Sequence, residues 1–431
     1  MSEGCPKGSF NIHWFQLFNA LTIQIVLGAP LILYAQSIGA SSTVLGVLAS
    51  FTPLTTVLQL PASKLLPIYG YRRFVLMGWA PRTALIFVIA LIPLLSFLDS
   101  TSKLVMMVAA LFVFNILRGA ASAAWMPWIA ALIPEEARSR FLARDQVFMF
   151  WGSLLALLAS AFFMRGEVAS WAYAFVFLLS GTAGAIGLLF INKIPDVRAE
   201  DEIRHAAQSV PWRAILFYPP FLSLLIFNVF FVVVVGSLGV FTIEFLHEFP
   251  SFDAERILYL TGVSFAGSLA VLPFTGRLLE RVGIKPVLCG ALILISTVIA
   301  GWCLIASRVW ECTWSIVAVL NFCGGAAGAA FNVANGRIAF ATMPRMGRNH
   351  FFALFTVITS LGLGAAPVVW GISLDFIGTF EVVTGEFHWK RHSIYFATLF
   401  LLNLLTIFQT RCLHENPNND AGASLPAGSS E

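Results

Sequence analysis

Apolar runs of about twenty residues, parted by short polar islands, recur along the whole of this 431-residue chain. That is the length an α-helix needs to cross a hydrocarbon core of about 30 Å. Lipid offers no partner to an exposed peptide group, so each run has to satisfy its own backbone as a helix. Membrane strands would alternate apolar and polar positions, and these runs do not. Charged residues make up 11% of the chain against roughly a quarter in soluble domains, and the mean hydropathy is +0.84. The fold class expected is an all-α integral membrane protein.

Hydropathy places twelve spans. In the first half they are α1 (Trp14 to Tyr34), α2 (Thr43 to Leu66), α3 (Phe74 to Leu98), α4 (Leu104 to Ile133), α5 (Gln146 to Met164) and α6 (Trp171 to Ile191). The second half has α7 (Phe217 to Phe245), α8 (Ile257 to Leu279), α9 (Pro286 to Ala306), α10 (Cys312 to Met343), α11 (Phe351 to Phe376) and α12 (Ser393 to Thr410). The division expected is a six-helix bundle over 1–191, a polar linker over 192–212, a second bundle over 213–413 and a disordered tail over 414–431. Lysine and arginine mark the cytoplasmic side. With the N-terminus inside, 17 basic residues fall inside and six outside, leaving Arg82, Arg118 and Arg337 within spans. Both termini are therefore expected in the cytoplasm. Met1 to Phe10 shows no cleavable leader, so α1 reads as a span. The scattered cysteines offer neither a metal-ligand spacing nor a disulfide framework. The absence of an Asn-x-Ser/Thr sequon fits a bacterial inner membrane.

The halves echo each other. Asn115-Ile-Leu-Arg118-Gly119-Ala-Ala-Ser-Ala-Ala-Trp125 in α4 matches Asn321-Phe-Cys-Gly324-Gly325-Ala-Ala-Gly-Ala-Ala-Phe331 in α10, at an offset of 206. The exits of these helices, from Pro134 through Arg138 to Phe141 and from Pro344 through Arg348 to Phe351, match at 210. Gly70-Tyr-Arg72-Arg73-Phe-Val75-Leu76 resembles Gly283-Ile-Lys285-Pro-Val287-Leu288, and Phe18-Asn19 resembles Phe227-Asn228. Small residues alone recur wherever membrane helices pack closely. Polar and loop positions in the same order point instead to a parallel repeat, its axis along the membrane normal.

These features resemble the major facilitator superfamily over the chain up to about Thr410. The resemblance implies two six-helix bundles related by a pseudo-two-fold axis, joined by a cytoplasmic loop, and transport by alternating access. The family's loop between α2 and α3 usually reads Gly-x-x-x-Asp-Arg-x-Gly-Arg-Arg. Ser63 to Arg73 keeps Gly70, Arg72 and Arg73 and lacks the acid. The second copy, Gly276 to Lys285, has Glu280 in the acid's place with Arg281, Gly283 and Lys285. With Arg138 and Arg348, these are the gating-loop residues the resemblance implies. Many proton-coupled members carry Arg-x-x-Gln-Gly in α4; here Asn115 takes the arginine's place and Arg118 precedes the glycine. The glycine–proline signature of drug antiporters is missing from α5.

A charge at mid-bilayer costs at least about 2.5–3.5 kcal/mol, so it marks a site or a partner. Arg118 sits near the centre of α4, and Arg82 lies closer to the inner interface, within snorkelling reach. No Asp or Glu falls near the middle of a span: Asp145 and Asp375 are placed at helix ends, and Glu244 toward the outer end of α7. The site expected combines Arg118 and Arg82 with the amides Asn19, Gln24, Asn115, Asn228, Asn332 and Asn335. Guanidinium forks match carboxylate and phosphate, so an organic anion is the expected substrate. The competing reading of each amide is an interhelical hydrogen bond.

A secondary transporter of a small solute follows, with a proton or sodium ion as the candidate co-transported partner, a lipid bilayer around it and a monomeric state. Cofactor, metal and nucleic acid have no place in this reading. A primary pump would need a phosphate-binding Gly-x-x-x-x-Gly-Lys-Ser/Thr loop, which is absent. A membrane enzyme would need clustered ligands or nucleophiles, and the nearest approach, His388 and His392, is expected in an exposed outer loop. A transporter fold serving as lipid translocator, receptor or assembly factor is the remaining alternative.

Overall fold

A computed structural model describes residues 8–166, 168–196, 215–342 and 348–413. Among them, twelve helices are long and apolar enough to cross a membrane. They are α1 (Phe10–Ser37), α2 (Ser42–Ser63), α3 (Tyr71–Leu94), α4 (Ser100–Leu132), α5 (Arg144–Phe163), α6 (Ser170–Ile191), α7 (Pro219–His247), α8 (Ala254–Val282), α9 (Ile284–Ala306), α10 (Trp314–Thr342), α11 (Phe351–Ile377) and α12 (Arg391–Cys412). Most of the expected linker and the whole expected tail lie outside the described residues. Phe112, Leu189 and Phe376 are among the large apolar side chains left exposed, as a lipid-facing surface requires.

Local chemistry explains the breaks. The first half of α1 stops at Val26, and a second segment starts at Ala29 with Pro30 in its first turn, where the missing N–H costs nothing. The first half of α7 likewise stops at Val235, before Gly236 and Ser237. These breaks are 209 residues apart, the offset that separates Asn19 from Asn228. Each amide thus precedes its break by the same two turns. Gly70 and Gly283 both adopt positive φ, +72° and +89°, a conformation open to glycine at little cost. The two loop glycines of the repeat therefore make the same turn. Asn115 and Asn321 also act alike: each donates its amide to the carbonyl four residues back, Leu111 or Val317, at 2.9 Å.

The contacts divide the chain into two compact units, whose boundary passes through α7, α8 and α11. The first holds residues 1–208, 235–265 and 360–380; the second holds 209–234, 266–359 and 381–431. In the first, α1 packs on α5 and α6, and α3 packs on α4 and α6. Its core is aromatic toward the start of α1: Phe15 stacks on Trp79 at 5.0 Å, and Trp79 meets Trp125 at 5.3 Å. Glycine sets the spacing. A Cβ on Gly119 would lie 2.3 Å from the carbonyl oxygen of Thr55, and one on Gly152 would lie 2.1 Å from that of Leu17. The small-residue stretch of α4 is thus a close-approach face against α2.

In the second unit α9 packs on α10 and α12, and Asn403 bridges to the Leu292 carbonyl and the Ser296 hydroxyl. The segment before α12 folds into an antiparallel hairpin of β1 (Val382–Thr384) and β2 (Phe387–Trp389), which hydropathy does not reveal. Lys390 and His388 flank Glu381 there, and the Lys390 ammonium holds its carboxyl below the usual range. His388 is half-buried. His392 is buried at the start of α12, correcting the expectation of exposure.

Candidate substrate site

Two of the three arginines placed within spans, Arg82 of α3 and Arg118 of α4, lie on neighbouring helices of the first unit. Arg82 is 4% exposed, so it does not snorkel to an interface. One reason is local: α3 carries Trp79 one turn earlier, and the guanidinium lies over its ring at 4.5 Å, with the Phe114 ring of α4 at 5.8 Å. These cation–π contacts hold the charge inside. The Arg82 Nη2 donates to Asn19 Oδ1 of α1 at 2.6 Å, while its buried Nε has no partner. Arg118 lies on α4 one turn beyond Phe114, where α3 and α4 pack closely: a Cβ on Gly78, one turn before Arg82, would lie 2.8 Å from the Leu117 carbonyl oxygen. The Arg118 side chain is half-buried. Among the described residues its guanidinium makes neither a hydrogen bond nor an ion pair.

The remaining candidates divide. Asn115 is fully buried and accepts from Thr52 Oγ1 at 2.9 Å, so it ties α4 to α2. Gln24 is half-buried, and its amide folds back toward Gly28 at the α1 break. In the second unit Asn335 donates to Asn228 Oδ1 at 2.7 Å, beside Phe231 and Phe331, whose rings stack at 3.4 Å. Asn332, exposed on α10, joins neither group. Of the gating-loop residues, Arg72 donates to the Ile194 carbonyl, and its backbone N–H reaches Asp196 at 3.4 Å. Arg73 is exposed. Glu280 and Arg337 form a pair at 3.8 Å, both largely exposed and of small energetic weight. Arg281 and Lys285 flank Gly283. The side chains of Arg138 and Arg348 lie outside the described ones.

Two polar groupings escaped the sequence reading. Asp145 is not at a helix end, because the helix that carries it begins at Glu135. It is buried, accepts from Gln16 at 2.9 Å, and meets His13 Nδ1 at 3.1 Å. His13 itself lies between the rings of Phe141 and Phe148. The charged run Glu135 to Asp145 reads as a loop by hydropathy alone, and only its unbroken helix-forming composition hinted otherwise.

The second grouping closes the α1–α2 end of the first unit. Ser42 and Thr43 open α2 with backbone N–H groups that no residue of their own helix can accept. Asp375 of α11 accepts both, at 3.1 and 2.8 Å, and Glu244 of α7 accepts the Ser42 hydroxyl at 2.5 Å. Behind this cap α2 and α11 touch backbone to backbone. A Cβ on Gly46 would lie 2.1 Å from the Pro367 carbonyl oxygen, and one on Gly371 2.4 Å from that of Ser42. Arg165, after α5, pairs with Glu255 of α8 at 3.0 Å at the same end.

A sequence profile described as the Major Facilitator Superfamily matches residues 13–256, more than half the chain. No curated protein matches it by sequence. Solved structures similar to it include a variant of the nucleoside transporter NupG, at 12% identity and a TM-score of 0.71 over 94% of this chain and 99% of that one. A D-xylose–proton symporter gives 14% identity and 0.71 over 94% and 97%. The inward-open xylose transporter XylE from E. coli gives 12% and 0.70 over 95% and 96%. At such identities the likeness is one of fold.

Proposed function

The chain belongs to the Major Facilitator Superfamily, and on that premise we propose that it moves a small organic anion by alternating access, with Arg118, Arg82 and Asn19 as the anion-binding residues. The observation that carries this reading is Arg82: a guanidinium buried in a membrane bundle, with no acid beside it among the described residues and its Nε unpartnered. A structural arginine would be neutralised by a carboxylate or spend its donors on carbonyls. Arg82 instead keeps a donor and a charge for something the protein does not supply. Arg118 adds a second charge that no described residue answers. Xylose and nucleosides belong to the similar structures by name, and the buried arginines favour a charged cargo here. The setting is a bacterial inner membrane with both termini in the cytoplasm, and the driving force is the gradient of the substrate or of a co-transported ion.

The test is a thermal-shift screen of the purified protein against sugars, amino acids, organic anions and lipids, followed by uptake into proteoliposomes with and without a pH gradient. Anions are expected to stabilise the wild type, and Arg118→Gln to weaken that shift. An unchanged anion response in Arg118→Gln would remove the anion site. Lipid scrambling without solute movement would make the protein a lipid translocator.

A further inference from the structure

The acids of the first unit's spans can be followed one by one. Asp145 is engaged by His13 and Gln16, Glu244 by Ser42, Glu255 by Arg165, and Asp375 by the start of α2. None reaches Arg82 or Arg118. Helices α1, α2, α3, α4 and α6 contain no Asp or Glu at all. Arginine does not solve the problem by losing its proton, since its guanidinium stays charged in any protein setting. The protein therefore places two positive charges here: Arg82, held by two aromatic faces and an amide that do not cancel its charge, and Arg118 on the facing helix.

Uncompensated charge inside a membrane protein is strongly unfavourable. A neutral ligand leaves both charges standing, a monoanion leaves one, and a dianion leaves none. Resting on the anion reading above, we propose that the site is matched to a dianionic oxyanion, a dicarboxylate or a phosphate, and that the protein works as an exchanger. The loaded carrier is electrically balanced and can pass through its occluded form, where water is withdrawn from the site. The empty carrier would have to withdraw water from two bare guanidiniums, so it waits for a second anion and returns loaded. Exchange of one dianion for another moves no net charge, and the membrane potential does not drive it.

Full-length protein in proteoliposomes tests this with labelled succinate and inorganic phosphate as dianion probes, lactate as a monoanion and xylose as a neutral solute. Uptake of at least one dianion is expected to run ten-fold or more faster into vesicles loaded with that dianion than into vesicles loaded with lactate or xylose. A valinomycin-imposed potassium potential is expected to leave the rate unchanged. Arg118→Gln, with one charge removed, is expected to shift preference toward lactate and to allow net uptake into vesicles holding no anion. Arg118→Lys keeps the charge and is expected to keep the exchange requirement; an even elution profile for both variants separates this from misfolding.

Failure of every anion to bind or move would overturn the anion reading and this inference with it. If anions move but succinate and phosphate enter empty vesicles as fast as loaded ones, or follow the imposed potential, exchange is wrong and the anion site stands. An unchanged dianion-to-lactate ratio in Arg118→Gln would likewise overturn the charge match.

Discussion

At the scale of single residues, the proposed anion site depends on geometry as well as charge. Arg82 lies flat over Trp79 and reaches Asn19 with one nitrogen, and a lysine ammonium can do neither in the same way. Arg82→Lys is therefore expected to lower transport by ten-fold or more while preserving net charge, as measured by initial uptake rate. Asp145 is a different case. Replacing it with alanine leaves His13 and Gln16 buried and without their acceptor. The expected cost is about 1–3 kcal/mol, read as a lower melting temperature by intrinsic fluorescence. Cys312, just before α10, shows the effect of burial on a thiol: its pKa is pushed up to about 11. The thiolate is the reactive form, so it becomes abundant only as pH approaches that value. In a variant keeping only Cys312 and the exposed Cys412, maleimide is expected to modify Cys412 far faster at pH 7.5, and Cys312 to gain rate with each step toward pH 11.

At the scale of elements, the joint between α2 and α11 combines a weak part with a strong one. Asp375 is exposed, and its bonds to the start of α2 compete with water, so Asp375→Asn is expected to loosen that end only slightly, by about 1 kcal/mol or less. Gly46 faces a carbonyl oxygen at a distance that admits no side chain. Gly46→Leu is expected to prevent closure at that end altogether. An impermeant thiol reagent directed at a cysteine placed at Thr43 would report both: a small gain in labelling for the first variant and near-complete labelling for the second. Unchanged protection in Gly46→Leu would mean that this joint does not control access.

At the scale of the whole molecule, the twelve spans and the parallel repeat were legible because both rest on patterns the lipid imposes. Span length follows from membrane thickness, and the repeat showed in Gly70 and Gly283, which do make matching turns. Arg82 and Arg118 were legible as intramembrane charges. The depth of Arg82 was not, because Trp79, Phe114 and Asn19 come from three helices and only the packed bundle brings them together. Asp145 was misplaced for a related reason: hydropathy ends a span at its first charges, whereas the helix continues to Glu135. Pairings such as Ser42 with Glu244 join residues about two hundred positions apart, and no local pattern records them. The orientation expected from Lys and Arg makes its own prediction. A cysteine in place of Lys390 is expected to react with an impermeant maleimide on intact cells, and one in place of Lys64 only after the cells are opened.

The glycines along α2 and α11 also say what substitution can and cannot do there. Gly46 and Gly371 each face main-chain atoms that have nowhere to go, whereas the nearest atoms to Gly364 belong to the side chain of Leu54, which a new Cβ 2.5 Å away would have to turn about its χ1 bond. Under selection for transport, a library covering all three should return only glycine at the first two positions and accept alanine at the third. The seam then behaves as a press-stud: its halves meet fully or not at all, and a single methyl group is enough to keep them apart.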